Sequence, residues 1–173
     1  MFKIEILTKK GFKNPRSEHV LSDICGIGVK DVTKVEYSPL YIIDGGISSV
    51  EAETIACELL SDRITENYIV YLMQSGTERY CKVVSKSATE GDFVSVPSSD
   101  PNFSVIEVWY KKGVTDTVSE SLVKAVKDLG IVKEIKVNTG HKYCLYGGVS
   151  RTILNIIATK LLANTLIQEC KIR

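Results

Sequence analysis

Residues 6–18 read ILTKKGFKNPRSE, and residues 108–120 read VWYKKGVTDTVSE. Both stretches carry a Lys-Lys-Gly triplet, and Gly11 lies 102 positions before Gly113, just as Glu18 lies 102 positions before Glu120. The same offset holds without a gap from residue 2 to residue 71. Chance similarity would not keep one register over such a length, so the sequence predicts an internal duplication.

Further matches define the extent of the two copies. The matched pairs include Gly28 and Gly130, Val35 and Val137, Tyr41 and Tyr143, Gly45-Gly46 and Gly147-Gly148, Ser48 and Ser150, and Leu59-Leu60 and Leu161-Leu162. The prediction is therefore a first repeat at 1–71, a connector at 72–103 and a second repeat at 104–173. In the connector, TERYCKVV and DFVSV resemble edge strands, and the turn-rich PSSDPN follows them.

Composition points to a packed globular protein. Apolar residues make up 44% and charged residues 25% of the 173 positions, with no low-complexity run. The N-terminal MFKIEILTKK lacks the apolar core of a signal peptide, and no stretch is as apolar and long as a membrane span. We expect a soluble cytoplasmic protein. The five scattered cysteines form no Cys-x-x-Cys pair, so we expect neither a disulfide framework nor a metal site.

Charge is divided unevenly between the repeats. Residues 2–71 hold 8 basic and 11 acidic side chains, a balance of −3, whereas residues 104–173 hold 11 and 6, a balance of +5. Opposite signs favour mutual docking of the repeats or separate partners. The net charge of +1 leaves little attraction for a polyanion, so nucleic-acid binding is not expected.

Each repeat opens with a strand pattern followed by helix-start signals. FKIEIL and SVIEVWY alternate apolar and polar residues. Asn14 before Pro15, and Asp116 in the matching place, predict N-caps. Gly28 and Gly130 fit helix C-caps. The apolar positions of these two helices are Val20, Leu21 and Ile24, and Val118, Leu122, Val126 and Leu129.

The rest of each repeat predicts two more strands, a second helix and a final strand. VTKVEY and LYIID in the first repeat correspond to EIKVN and KYCLY in the second. Ser48 with Glu51 predicts a capping box. Each repeat thus predicts β-α-β-β-α-β, an α+β unit of ferredoxin-like type with helices on one face of an antiparallel sheet.

The glycine pairs are the first candidate binding sites. In CGIGVKD, at 25–31, a helix precedes the glycines, which indicates a helix cap and not a phosphate loop. The turns after the second strand pair have the opposite order, so an anion could rest on them. Their residues are Gly45, Gly46, Ser48, Gly147, Gly148 and Ser150. A plain turn is the simpler interpretation.

No catalytic constellation is apparent. His19 and His141 do not match under the offset, and the matched Ser17 and Ser119 lack a matched base, so they are simpler as first-turn helix residues. No nucleophile, metal or P-loop motif occurs. The matched Tyr41 and Tyr143 fit sheet packing.

A basic and aromatic cluster recurs at the end of the first strand of each repeat. It contains Lys9, Lys10, Lys111, Lys112 and Trp109. A solvated strand end or a contact with a protein partner suits it better than a phosphate site.

KKGFKNPRSE, KKGVTDTVSESLVKAVKDLGI and KLLANTLIQECKI resemble the PurS family, the small subunit of phosphoribosylformylglycinamidine (FGAM) synthase. Gly113, Asp116 and the Leu161–Asn164 run match the family pattern, while Thr117 departs from its proline. In the first repeat Pro15 matches, but Asn14, Ser61 and Asp62 depart. The resemblance covers both repeats and not the connector.

The resemblance implies a non-catalytic scaffold. The family joins the glutaminase and synthetase subunits and helps ammonia to pass between them, while the complex converts formylglycinamide ribonucleotide to its amidine with glutamine and ATP. It implies that Asn164 and the lysine-rich strand ends contact partners, that ATP and Mg²⁺ bind the synthetase partner or a synthetase domain outside this chain, and that the two repeats form an intramolecular pseudo-dimer. The tandem also resembles the N-terminal region of certain large-subunit synthases.

Two other interpretations stay open. A tandem regulatory domain of ferredoxin-like units would bind an amino acid or a nucleotide between the repeats, with the Gly-Gly turns as ligand loops. A nucleic-acid-binding role is the more distant alternative.

Overall fold

A computed structural model describes residues 1–73, 80–86 and 102–173. The first half contains β1 (Phe2–Thr8), α1 (Pro15–Gly26), β2 (Lys34–Asp44), α2 (Ser49–Ile55), a π-helical turn (Ala56–Leu60), β3 (Glu66–Met73) and β4 (Tyr80–Lys86). The second half contains β5 (Phe103–Tyr110), α3 (Thr117–Asp128), β6 (Lys136–Tyr146), α4 (Arg151–Ile157), a π-helical turn (Ala158–Leu162) and β7 (Gln168–Ile172). The described chain is therefore α+β.

The chain divides into two compact units that do not follow the sequence halves. Unit 1 comprises the described residues of Met1–Phe12, Pro39–Phe93 and Thr115–Thr139. Unit 2 comprises those of Lys13–Ser38, Val94–Val114 and Gly140–Arg173. As a result, α1 of the first repeat belongs to unit 2, and α3 of the second repeat belongs to unit 1.

In unit 1 the strand order is β4-β3-β1-β2. β1 pairs antiparallel with β2, with Phe2 opposite Ile43, and antiparallel with β3, with Phe2 opposite Leu72. One face of β1 joins α2 and α3 in a single core, because alternate strand residues point to the same side. That core contains Phe2, Ile4, Ile6, Ile43, Ala52, Ile55, Val70, Leu122 and Val126.

In unit 2 the strand order is β6-β5-β7, again antiparallel. Ile106 and Val108 of β5 point to the face that carries α1 and α4. The fully buried Ile24 of α1 belongs to this core, and α1 packs against the turn Ala158–Leu162. The remaining core residues include Val32, Val35, Tyr143, Leu145, Leu154, Ile157 and Leu162.

The predicted helix boundaries are confirmed. The Asn14 side chain accepts hydrogen bonds from the amides of Arg16 and Ser17, with Pro15 in the first turn. Asp116 does the same for α3. Gly28 and Gly130 follow the helix ends at φ of 87° and 86°, a region in which a residue without Cβ pays no steric penalty.

The predicted interruption of the long strands is wrong. β2 and β6 each run unbroken through 11 residues where two strands were predicted, so residues 2–73 and 103–172 each follow the order β-α-β-α-β. Pro39 lies within β2, but the pairing of β2 with β1 ends at Leu40, so the missing amide of Pro39 costs no bond to β1. The strand predicted from TERYCKVV is confirmed as β4, and DFVSV lies outside the described residues. The pseudo-dimer of ferredoxin-like repeats stays a prediction.

Candidate functional site

A cluster of polar aromatic and cationic side chains stands in unit 2. The Arg16 guanidinium lies 4.9 Å from the centre of the Tyr37 ring, and its Nη2 donates to the Tyr143 hydroxyl at 3.1 Å. The Tyr37 hydroxyl lies 2.9 Å from Nδ1 of His141. Tyr37 also contacts the Tyr143 ring, with 5.4 Å between centroids. These four residues are called the Arg16 cluster below.

The start of α1 holds the Arg16 cluster in place. Asn14 fixes the first turn, and Oγ of Ser17 accepts a hydrogen bond from the Tyr37 amide at 3.0 Å, which ties the helix to β2. Tyr143 is only 1% exposed, so it offers Arg16 a fixed hydroxyl. Arg16 itself is exposed, so its guanidinium reaches solvent while it contacts Tyr37 and Tyr143.

Arg16 is a cation without a carboxylate partner within the described ranges. The pKa of its guanidinium is raised: partial burial acts to lower it, but the hydrogen bond from Arg16 to Tyr143 and the nearby Tyr37 outweigh that effect. A guanidinium keeps its charge in proteins at any ordinary pH. The site therefore presents a permanent positive charge in a fixed orientation.

Unit 1 lacks this arrangement at the equivalent positions. Val118, Thr139 and Pro39 stand where unit 2 has Arg16, Tyr37 and His141. The Asp116 carboxylate instead accepts hydrogen bonds from the amide and the hydroxyl of Thr139, at 3.2 and 2.6 Å. Burial, with Glu66 and Asp116 nearby, raises the pKa of Tyr41. The equivalent place in unit 1 is thus acidic.

The predicted lysines have matched structural roles. Nζ of Lys9 donates to the Arg63 carbonyl at 2.6 Å. Nζ of Lys111 donates to the Thr165 carbonyl at 2.5 Å, and both residues of this second pair lie 102 positions after those of the first. Both lysines tie the end of a first strand to the turn that precedes a last strand. Lys10, Lys111, Lys112 and Asn164 are the exposed members of the predicted contact set.

Asn164 organises the turn before β7. Its side-chain oxygen accepts from the Leu166 amide at 3.1 Å, and Oε1 of Gln168 accepts from the Asn164 amide at 3.0 Å. Asp62 builds the same turn in the first repeat. Its side chain accepts from the amides of Ile64 and Thr65, and the Glu66 carboxylate accepts from the Asp62 amide. Those backbone hydrogen bonds lower the pKa of Asp62. The departure of Asp62 from the family pattern therefore preserves the local structure.

Trp109 is buried. It is 4% exposed, its Nε1 donates to the Glu107 carboxylate at 3.1 Å, and its ring packs on Gly140, where a side chain would collide with it. The contact predicted for Trp109 stays a prediction, but little of its surface is open in this conformation.

The Gly-Gly turns serve close approaches of the main chain. Gly45 has φ of 135°, and an added Cβ there would overlap the Glu134 carbonyl oxygen. Gly147 has φ of 139°, and a Cβ would overlap the Asp31 carbonyl oxygen. The following Gly46 and Gly148 are exposed. Both turns therefore need a first glycine for packing, whether or not an anion also binds.

Ser48 and Ser150 are helix caps. Ser48 and Glu51 form the predicted capping box, and Ser150 accepts from the Ile153 amide. In unit 1, Nζ of Lys133 lies 2.6 Å from the Glu51 carboxylate. A cleft of about 450 Å³ opens in the same unit, lined by Asp44, Gly45, Val123, Lys127, Glu134, Ile135 and Lys136.

The Glu51 interactions predict a pH-dependent stability. The hydrogen bond from Lys133, together with those from Ser48, lowers the pKa of Glu51 from 4.5 to about 2. Because the folded pKa is the lower one, this stabilisation is present above the unfolded pKa and is lost as pH falls from about 4.5 to about 2. We expect Glu51→Gln to flatten the fall of Tm over that range, as measured by circular dichroism. Glu120→Gln is the control, and an equal flattening there would contradict the assignment.

Sequence reasoning missed the Arg16 cluster. No function was predicted for Arg16 or Tyr37. Ser17 was predicted to lie in the first turn of a helix and Tyr143 to pack in a sheet, and His141 was noted only for lacking a matching histidine. A signal did exist: positions 17 and 143 match their counterparts, while 16, 37 and 141 differ from theirs in chemistry. This local difference between two otherwise matching copies is the sequence signal that points to these positions.

No protein-family model and no curated protein matches the chain. The resemblance to PurS therefore depends on the residues quoted above. Within the described ranges, no three His, Cys, Asp or Glu side chains converge as metal ligands would. None of the helices described is both long and apolar enough to cross a bilayer.

Proposed function

We propose that the chain is a non-catalytic, PurS-like component of FGAM synthase. In this proposal its two ferredoxin-like repeats form an intramolecular pseudo-dimer in the cytoplasm and bridge the glutaminase and synthetase parts. The partners, or a synthetase domain outside this chain, bind ATP and Mg²⁺. The product is formylglycinamidine ribonucleotide, an intermediate of purine biosynthesis.

The observation that carries the proposal is the exchange of helices between the halves. The unit 2 core needs Ile24 of the first repeat, and the unit 1 core needs Leu122 and Val126 of the second. Neither repeat completes a core by itself. A single chain with two PurS-like copies would supply internally what two separate chains supply in a dimer.

The matched turns support the same proposal. Lys9 and Lys111, in the Lys-Lys-Gly motifs that carry the resemblance, make the same local hydrogen bond in both repeats, and Asp62, which departs from the family pattern, builds the same turn as Asn164. A duplicated structural element accounts for this agreement better than two unrelated segments do.

The matched serines make structural hydrogen bonds to the backbone. Oγ of Ser17 accepts from the Tyr37 amide, and Oγ of Ser119 donates to the Val137 carbonyl at 2.8 Å. Neither hydroxyl is hydrogen-bonded to a histidine or a carboxylate within the described part of the chain. An activated nucleophile needs such a base.

The test is a pull-down of the tagged chain from its source cells, followed by reconstitution. Mass spectrometry should identify the glutaminase and synthetase polypeptides of FGAM synthase. With the purified parts, we expect the chain to raise glutamine-dependent amidine formation by roughly tenfold or more, the equivalent of about 1.4 kcal/mol. The rate with ammonium chloride should change little, because free ammonia needs no bridge between the subunits.

Surface variants locate the contact. Lys112→Glu should weaken the complex, because it reverses an exposed charge of the predicted contact set, whereas Lys124→Glu on the exposed part of α3 is the matched control. Absence of both named polypeptides from the pull-down, with no effect on the glutamine-dependent rate, would rule out the proposal.

A further inference from the structure

We propose that Arg16, Tyr37, His141 and Tyr143 of unit 2 form a binding site for the phosphate group of a small metabolite. This inference does not depend on the function proposed above, because it rests on the geometry of the Arg16 cluster alone. It assigns a ligand chemistry to residues that neither the scaffold role nor the resemblance uses.

The guanidinium of Arg16 is the central group of the site. It reaches solvent, it is oriented by the Tyr37 ring and the Tyr143 hydroxyl, and no described acceptor other than that hydroxyl is hydrogen-bonded to its side chain. A planar guanidinium donates two parallel hydrogen bonds to a pair of phosphate oxygens. Because the side chain is already held, little rotamer entropy is lost when an anion binds.

His141 adds a second group that can carry positive charge. Its ring lies against Tyr37, with 5.7 Å between centroids, and Nδ1 is hydrogen-bonded to the Tyr37 hydroxyl. When protonated, an imidazole adds a positive charge and donates hydrogen bonds from both ring nitrogens. A phosphate monoester, with up to two negative charges, gains more from an arginine and a histidine than a carboxylate does.

The charge of the surroundings agrees with an anionic ligand. The described residues of unit 2 include 11 basic and 6 acidic side chains, a balance of +5. The described residues of unit 1 include 10 basic and 11 acidic side chains, a balance of −1, and Asp116 is hydrogen-bonded to Thr139 in the equivalent place. The two copies of the same structural element therefore differ in net charge, and the copy with the Arg16 cluster is the more basic one.

The test is an NMR titration of the full ¹⁵N-labelled chain with inorganic phosphate, at an ionic strength held constant with sodium chloride. We expect saturable shifts of the Arg16 side-chain and Tyr37 backbone signals. Arg16→Ala should weaken binding by roughly tenfold or more, since it removes hydrogen bonds to a charged group. Lys160→Ala, which removes an exposed positive charge elsewhere in unit 2, should leave the affinity within about twofold.

A second variant separates binding from folding. Tyr143→Phe keeps the buried ring and removes only the hydroxyl that orients Arg16, so we expect a roughly threefold loss of affinity with an unchanged Tm. Shifts that do not saturate, or that persist in Arg16→Ala, would overturn the proposal. A parallel titration with glutamate tests the ligand class, and tighter binding of glutamate than of phosphate would overturn the phosphate assignment in favour of a carboxylate.

Discussion

Gly147→Ala is expected to destabilise the protein by about 3–5 kcal/mol, because it combines backbone strain with overpacking. At φ of 139° an alanine is strained whatever space surrounds it. The new methyl group would also overlap the Asp31 carbonyl oxygen and lie 2.8 Å from the Asp31 carbonyl carbon and 3.1 Å from Cα of Val32. These neighbours are main-chain atoms, so no side-chain rotation relieves the collision. Urea unfolding followed by circular dichroism measures the loss.

Substitutions at two other glycines separate the backbone strain from the overpacking. A methyl group at Gly148 would lie 3.3 Å from the Asn102 side-chain oxygen, and Gly148 has an ordinary φ. Gly148→Ala should therefore cost less than about 1 kcal/mol. Gly46 has φ of 71° but open space around it, so Gly46→Ala should show the strain alone, about 1 kcal/mol. If Gly147→Ala costs no more than these two variants, the close approach of residues 31–32 is not what requires glycine.

The glycine turns show what sequence could and could not predict there. The repeated pair Gly45-Gly46 and Gly147-Gly148 marked two equivalent turns before helices, and both turns exist. The sequence could not predict why the first residue of each turn must be glycine, because the segments that approach the turns, residues 134–135 and 31–32, lie far away in the sequence. A pattern of glycines records that space is needed but not which main chain occupies it.

Helix ends and strands could be predicted because their signals are local. Asn14, Asp116 and Ser48 each satisfy amides within three residues, so the sequence alone indicates the cap. The alternation in FKIEIL likewise predicts β1. The long β2 was predicted as two strands, and its register with β1 shows that Pro39 lies beyond the segment paired with β1.

The exchange of helices could not be predicted from the apolar stripes. Val20, Leu21 and Ile24 form a stripe that would cover the sheet of either half, because burial of apolar surface is non-directional. The apolar stripe of α1 therefore does not indicate which of the two sheets it covers. The Arg16 cluster escaped for the same reason, since His141 approaches Tyr37 only after a helix and a strand of one repeat join a strand of the other.

The exchange makes a specific energetic prediction about Ile24. This residue is fully buried in the unit 2 core, so Ile24→Ala should cost about 3 kcal/mol in the free energy of unfolding. Leu162→Ala, in the π-helical turn against which α1 packs, should cost a further 2 kcal/mol or about that. In the double variant we expect a coupling of about 0.5–2 kcal/mol, because the two side chains share one core. Denaturant unfolding of the four proteins in this cycle measures it.

Leu60 is the matched control, because it lies 102 positions before Leu162 and packs in the unit 1 core. If α1 folded onto its own repeat, Ile24 would couple to Leu60 and not to Leu162. With the helices exchanged, the costs of Ile24→Ala and Leu60→Ala should add within about 0.5 kcal/mol, as for residues that share no partners. Additivity with Leu162 together with coupling to Leu60 would contradict the exchange and remove the main support for an intramolecular pseudo-dimer. Coupling to Leu162 alone would mean that the duplicated chain needs both of its copies to complete either core.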